Sequence, residues 1–423
     1  ESLVADPVAP EDYARLTEIF ENPSLQMVTF TITEKGYSLV NGKGEKLPGV
    51  EDGFLAGPGN QSHLMGRIAS LCYARFVKNG TPLALVSTDN CSHNGDKLKA
   101  GVMAYVDAWK QAGKVDDDFV SYMEEKVSFP WSMIDKITPR PDEKVKEMLE
   151  KDGFEDTDLI ITSRNTYTAP FVNSEETGYL VIEDNFPNGR PPLEKAGIVF
   201  TDRETVDKVE KMKVCTCLNP LHTALAIYGC MLGHTSIHDE MEDKELSQLI
   251  QKMCYEEAMS VVVNPGVIDP KEFANAVLTK RLPNPFMPDT PQRIACDTSQ
   301  KLPIRFGETI KFYENREDLD TKSLTLIPLV LAGWCRYLMG IDDEGNAFEQ
   351  SPDPRLDEVK AHVAGISFGD TDVHDKLQPI LSDASIFAVD LYSVSLGEKV
   401  EKMFVELIAG KGAIRSTLKK YVD

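Results

Sequence analysis

"PLALVST", residues 82–88, decides the fold of the first half of this chain. It is a near-continuous apolar run, bounded by Pro82 and a polar turn, too short for a helix and without the alternation of a half-solvated strand. A strand of that kind is buried on both faces, which is the mark of a parallel sheet. The flanks agree: helical patterns at 61–78 and 96–112 stand on either side, and a second strand-like run, "LQMVTFTIT" (25–33), precedes them. Farther on, "DLIITS" (158–163), "YLVIED" (179–184) and "GIVFT" (197–201) read as further strands. Strands alternating with helices imply an α/β domain with a largely parallel, Rossmann-like sheet.

From about residue 202 the strand signal fades. Helical patterns follow one another at 202–213, 220–232, 240–261, 270–280, 306–316, 322–340, 354–366, 370–380 and 397–421. The expected architecture is therefore α/β plus all-α, with domains over 1–203 and 204–423. A length of 423 residues suits two cores better than one.

The bulk numbers exclude some classes of function. A formal net charge of −23 argues against nucleic acid or an anionic membrane surface as partner. The same charge means that an anionic substrate needs cations gathered locally. The longest apolar run, "LTLIPLVLAGWC" (324–335), stops at Arg336 and is too short to span a bilayer. Eight cysteines without a CxxC pair, mostly in apolar contexts, read as free thiols, and the expected location is the cytoplasm. Oligomeric state leaves no trace in the sequence.

"KVCTCLNPLHTALA" (213–226) places a lysine, an asparagine and a histidine inside a segment that otherwise calls for burial. A dehydrogenase that uses no metal needs a base for the hydroxyl proton and donors for the developing oxygen charge. A lysine with depressed pKa can be that base, and an asparagine amide is a donor at any pH. Pro220 suits the first turn of a helix capped by Asn219, which puts His222 in that turn and Lys213 at the end of the preceding helix. Taken alone, the three also fit satisfied core polars. "HTSIHDE" (234–240) has two histidines four apart, a helical metal spacing, but lacks a clear third ligand and reads as a solvated helix face.

Beyond these residues the chain resembles the polyol-specific long-chain dehydrogenase/reductase family, which includes mannitol dehydrogenases, fructuronate reductases and tagaturonate reductases. The family signature of Lys, then Asn, then two residues, then His is matched by Lys213, Asn219 and His222. "TITEKGY" (31–37), "STDNCSHNG" (87–95), "FPWSMIDKITP" (129–139), "YLVIEDNFPNGRPPLEKAGIVF" (179–200) and "RIACDTSQKLP" (293–303) are similar to its other blocks. The resemblance implies Lys213 as general base, Asn90 and Asn219 as the pair holding the reacting oxygen, and His222 bonded to a substrate hydroxyl. It also implies substrate contacts from Asp135, Arg293 and Lys301, and cofactor contacts from Thr33 and Asn90. The implied cofactor is NAD, with NADP left open.

The implied substrate is a small sugar acid or polyol. The wording around 215–229 leans to D-mannonate/D-fructuronate, with mannitol/fructose and tagaturonate as alternatives. A silent binding protein on the same scaffold is the non-enzyme alternative.

Two departures from the family pattern matter. Five residues, "VCTCL" (214–218), separate Lys213 from Asn219 where the family has four. On one continuous helix the extra residue turns the lysine by about 100°. A π-bulge or a break before Pro220 absorbs it, and Asn219–Pro220 points to the break. "IDKITP" also carries Lys136 in place of the family's arginine. No GxGxxG is present, and "GPGNQSHLMG" (57–66) follows no strand. The family's Gly-rich unit precedes "TITEKGY", so the expectation is a dinucleotide-binding domain whose N-terminal glycine-rich unit is missing from this sequence.

Overall fold

The computed structural model describes residues 10–32, 34–59, 61–136, 141–161, 167–172, 174, 178–287 and 289–423. The chain forms two compact units, Glu1–Asp135 with Gly178–Glu210, and Lys136–Thr177 with Lys211–Asp423.

In the first unit, β1 (Met27–Phe30), β2 (Leu83–Ser87) and β3 (Val127–Ser128) form a parallel sheet in the order β1-β2-β3, with Val28 opposite Leu85 and Leu83 opposite Val127. All five residues of β2 are buried, Ser87 included, as the near-continuous apolar run predicts. Its alternate side chains enter two different clusters. Leu83 and Leu85 pack in a core that contains Val102, Tyr105 and Trp109 of the helix α2 (Asn94–Gln111) and Ile68 and Leu71 of α1 (Leu64–Lys78). Ala84 and Val86 meet Ile182, Phe186 and Phe200. The latter belong to or follow the second sheet, β4 (Ser132–Ile134), β7 (Leu180–Glu183) and β8 (Val199–Thr201), in which β7 runs antiparallel to β4 and parallel to β8. The antiparallel pair is thus a local exception to the parallel pattern.

The strand expected at 158–163 does not join these sheets. Its described part is a two-residue pairing of β5 (Ile160–Ile161) with β6 (Tyr167–Thr168), and Ile160 and Ile161 are exposed. Two isoleucines raise strand propensity, but no second hydrophobic face is supplied for them to enter.

Among the described residues the regular structure of the second unit is helical apart from that pairing and an isolated β-bridge, Ile341–Ala347. At its centre the apolar run becomes the helix α5 (Leu326–Tyr337), every residue of which is buried. α4 (Asn219–Leu232) packs against it: Gly333 leaves room for the Tyr228 ring, whose hydroxyl donates to Leu329 O at 2.7 Å. The buried Glu257 carboxylate accepts from Thr325, Leu326 and Ile327 N at 2.6, 2.7 and 2.8 Å, so the first turn of α5 is capped by a charge from another element. The single helix expected over 397–421 is two, α6 (Gly397–Leu407) and α7 (Ala413–Val422), separated where Gly412 takes a φ of 75°.

One stretch, Arg203–Leu232, is long and apolar enough to cross a membrane by length and composition, but 83% of its most apolar window is buried within the fold. It is accounted for as core.

Candidate active site

The turn after β2 carries the "DN" residues. Asp89 is buried; one carboxylate oxygen accepts from Cys91 N at 2.9 Å and the other from the Tyr37 hydroxyl. Asn94 holds the turn from beneath, donating to Asp89 O at 3.2 Å and Ser132 Oγ at 3.1 Å. Gly95 has no alternative, because a Cβ there would lie 2.5 Å from Phe129 O and 2.8 Å from Pro130 O. The Asp-Asn-x-x-x-Asn-Gly spacing is therefore the covalent record of one braced turn, and it leaves Asn90 exposed at the carboxyl end of β2. Beside it, Thr31 and Thr88 at the ends of β1 and β2 pair their hydroxyls at 2.7 Å. In open α/β sheets this edge is where ligands bind. Asp135, just past β4, is buried and donates its N–H to Tyr179 O at 2.9 Å. Thr33 lies outside the described residues.

In the helical unit, Lys213 sits on a π-helical segment, Met212–Cys217, that continues α3 (Arg203–Lys211). The Leu218 N–H donates to Lys213 O at 3.1 Å, five residues back, and Leu218 itself leaves helical geometry at φ −134° and ψ −63°. The extra residue of "VCTCL" is thus absorbed by a π segment and by a break at Leu218, one residue before the expected position. Asn219 is consequently the first residue of α4 and not its N-cap; the cap position is Leu218, which offers no side-chain bond. His222 remains in the first turn as expected. The Lys213 side chain is 5% exposed, in a protein interior and not in water.

His222 is the electrostatic focus of this unit. Its Nε2 is buried without a hydrogen-bond partner among the described residues, and Asp289 Oδ2 lies 3.5 Å from it. Burial first, then the positive charges of Arg281, Arg305, Arg293 and Lys301, hold the ring well below its ordinary pKa. Asp289 alone would pull the other way, but one carboxylate is outweighed by four cations and desolvation. The ring is neutral at physiological pH.

Of the cations, Arg293 is exposed and pairs Nε with the buried Asp289 at 2.7 Å. The Lys301 ammonium donates to Ile294 O at 3.3 Å and to Cys296 O, and burial, then the neighbouring Arg305, lowers its pKa. Arg281, Arg305, Asp289 and Thr223 are absent from the sequence reading. Asp289 had a local signal, since it stands four residues before Arg293 and just ahead of the Thr290 cap of the next short helix. Arg281 and Arg305 had none; each sits on its own π segment, Val277–Arg281 and Pro303–Gly307, whose register no apolar periodicity announces.

His234 and His238 do not share a ligand: His234 Nε2 lies 3.2 Å from Asp243 Oδ2, and His238 Nδ1 lies 2.6 Å from Pro283 O. His238, Asp239 and Glu242 bring ligand atoms within 4.8 Å of one another, with both carboxylates exposed.

A pH dependence follows from the His222 ring. Its folded pKa is depressed, so below the unfolded value of about 6.5 the unfolded chain binds more protons and stability falls with pH. The stabilisation is present above that value and is lost on acidification. Thermal unfolding of wild type and His222→Gln between about pH 7.5 and pH 5 is expected to show the steeper decline in wild type. Parallel curves would mean that the ring already titrates normally in the fold.

Residues 3–195 match the model of the mannitol dehydrogenase Rossmann domain, and residues 205–407 that of the mannitol dehydrogenase C-terminal domain. The D-mannonate oxidoreductase of Thermotoga maritima is 54% identical over 425 residues, covering 100% of this chain and 78% of that protein. Mannitol dehydrogenase 2 of Saccharomyces cerevisiae is 31% identical, over 89% of this chain and 70% of its own. Among solved structures, Pseudomonas fluorescens mannitol 2-dehydrogenase in ternary complex with NAD and D-mannitol superposes with a TM-score of 0.67 at 25% identity, covering 96% of this chain and 76% of that one. A substrate-free D-sorbitol dehydrogenase shares the fold with a TM-score of 0.77 at 23% identity, covering 98% and 78%. Two domain models that together span most of the chain, and a relative more than half identical along its whole length, make this protein a member of the mannitol dehydrogenase family.

Proposed function

We propose that this protein is an NAD-dependent oxidoreductase that interconverts D-mannonate and D-fructuronate. The observation that carries the reading is the neutral His222, with an unpartnered buried Nε2, ringed by cations in a chain of net charge −23. A buried polar atom without a partner is costly unless a ligand supplies one, and a sugar hydroxyl does. A local positive cluster in an acidic protein suits a carboxylate-bearing sugar. The 54% identity to a D-mannonate oxidoreductase supports the same substrate.

The roles are assigned as follows. Residues 1–203 form the dinucleotide-binding domain and 204–423 the substrate and catalytic domain. Lys213, buried and one turn-break away from Asn219, takes the hydroxyl proton as the neutral amine and returns it as the ammonium in reduction. The Asn219 and Asn90 amides hold the oxygen on which charge develops, so proton removal is assigned to an amine and not to a metal-bound water. His222 bonds a neighbouring hydroxyl, and Asp135, Arg293 and Lys301 complete the binding surface. The exposed hydroxyls of Thr31 and Thr88 and the Asn90 amide fit the polar, amide-bearing end of a dinucleotide, and Thr33 is assigned there too. NAD, when bound, accepts the hydride from the carbinol carbon. All eight cysteines are free thiols, which suits a reducing cytoplasm.

Following NADH absorbance with D-fructuronate and D-fructose tests the reading. The expected kcat/KM ratio favours fructuronate by at least about 100-fold, the worth of one charge-assisted contact. A preference for fructose would move the assignment to the mannitol branch. Silence with both, and with tagaturonate, would favour a binding protein.

A further inference from the structure

Arg305 is a half-buried guanidinium facing the first turn of α4. Its Nη1 donates to Thr223 Oγ1, and that hydroxyl in turn donates to Asn219 O at 2.8 Å. Side chain, hydroxyl and backbone thus form a short strut that fixes the guanidinium one residue from His222. Among the described residues no carboxylate lies within ion-pair distance of it. The neighbouring cations differ: the charge of Arg293 is answered by Asp289, and the Lys301 ammonium is answered by two carbonyls. Burial lowers the Arg305 pKa to about 10, with no negative group to raise it, so the charge persists at neutral pH without a counterion.

A buried unmatched ion destabilises a fold by several kcal/mol, and side chains are not held in that state by packing needs. The geometry also says what would match it. With Nη1 committed to Thr223, the Nε and Nη2 edge of the fork remains, and two parallel N–H groups are the shape that a carboxylate takes. D-Fructuronate and D-fructose share the ketone end of the molecule. They differ at the far terminal carbon, a carboxylate in one and a hydroxymethyl in the other.

We propose that Arg305, held by Thr223, is the specificity residue that binds the substrate carboxylate through its Nε/Nη2 edge. The proposal rests on the sugar-acid reading above. It divides the labour of the cluster: Arg293 and Lys301 meet hydroxyls, and Arg305 meets the charge.

The test compares wild type, Arg305→Met, Arg305→Lys and Thr223→Val by kcat/KM for D-fructuronate and D-fructose, and by thermal unfolding without substrate. In Arg305→Met the fructuronate-to-fructose ratio is expected to fall about 100-fold, chiefly through the KM for fructuronate. Arg305→Lys keeps the charge but not the fork, and the expected fall is about 10-fold. Thr223→Val keeps the shape, frees the guanidinium, and should lower the ratio in the same direction. Because the ion is unmatched without ligand, Arg305→Met should unfold no lower in temperature than wild type. A ratio unchanged within about threefold, or equal losses on both substrates with a lower unfolding temperature, would overturn the assignment and make Arg305 structural. If wild type itself shows no preference for fructuronate, the sugar-acid reading fails first; if wild type prefers it and both Arg305 variants keep the preference, this inference alone fails. Should Arg305→Met not fold, the result contradicts the unmatched-ion argument directly, and Arg305→Lys still reads the ratio.

Discussion

Lys213→Ala is expected to lower kcat by about 1,000-fold while changing KM by less than about tenfold. The lysine is buried on the π segment that precedes Asn219, where the backbone presents side chains out of α-helical register and then breaks at Leu218. A base positioned in this way acts on the transferring proton and not on substrate binding, so its loss falls on the chemical step. The pH profile supplies the second readout. In wild type the rate of polyol oxidation should rise as the amine loses its proton; in Lys213→Ala that limb should vanish. Removing the side chain also leaves space, and an added small amine should restore part of the rate in the variant. An alanine variant that keeps a tenth or more of the turnover would transfer the role of base to another group.

The second large effect is on stability. Gly229 lies on α4, where a Cβ would stand 1.5 Å from Glu240 Oε1 and 2.5 Å from its Cδ. Glu240 is fully buried, and neither carboxylate oxygen has a hydrogen-bond partner among the described residues. Burial first, then the negative charges of Asp243, Asp239 and Asp289, push its pKa well above the ordinary carboxylate range, so it is retained as a neutral acid. The helix Ile237–Glu242 that carries it packs on α4, leaving no solvent into which the side chain can swing. Gly229→Ala should therefore cost about 3 kcal/mol, read as a fall in the denaturation midpoint. The clash is with one named side chain, so Glu240→Ala in the same molecule should recover most of the loss. Additive losses in the double variant would show that Gly229 is required by something other than Glu240.

The sequence was most informative where one interaction dominates over a short distance. The run at 82–88 foretold a strand buried on both faces because four consecutive apolar side chains, 83–86, leave neither face solvated. The block at 87–95 was legible through its likeness to the family's, and Gly95 shows what fixes it: a carbonyl oxygen occupies the space of a Cβ. Lys213, Asn219 and His222 were legible as a group through the family signature, and the extra residue in their spacing already called for a π turn or a break. Both occur.

Other features were decided by tertiary context. "DLIITS" has strand composition, but a strand also needs a partner edge and a second apolar layer, and neither is encoded in those six residues. Arg281 and Arg305 were invisible as site residues because a charge in a sequence looks the same whether it meets water or His222. Only the folded chain, by placing four cations around one imidazole and leaving one of them unmatched, distinguishes a solvated surface charge from a binding group. Strand burial and turn closure are set by steric and hydrophobic terms that act between near neighbours. The electrostatics of the site are set by groups up to 83 residues apart in the chain, from His222 to Arg305, and become defined only when the core fixes the distances between them.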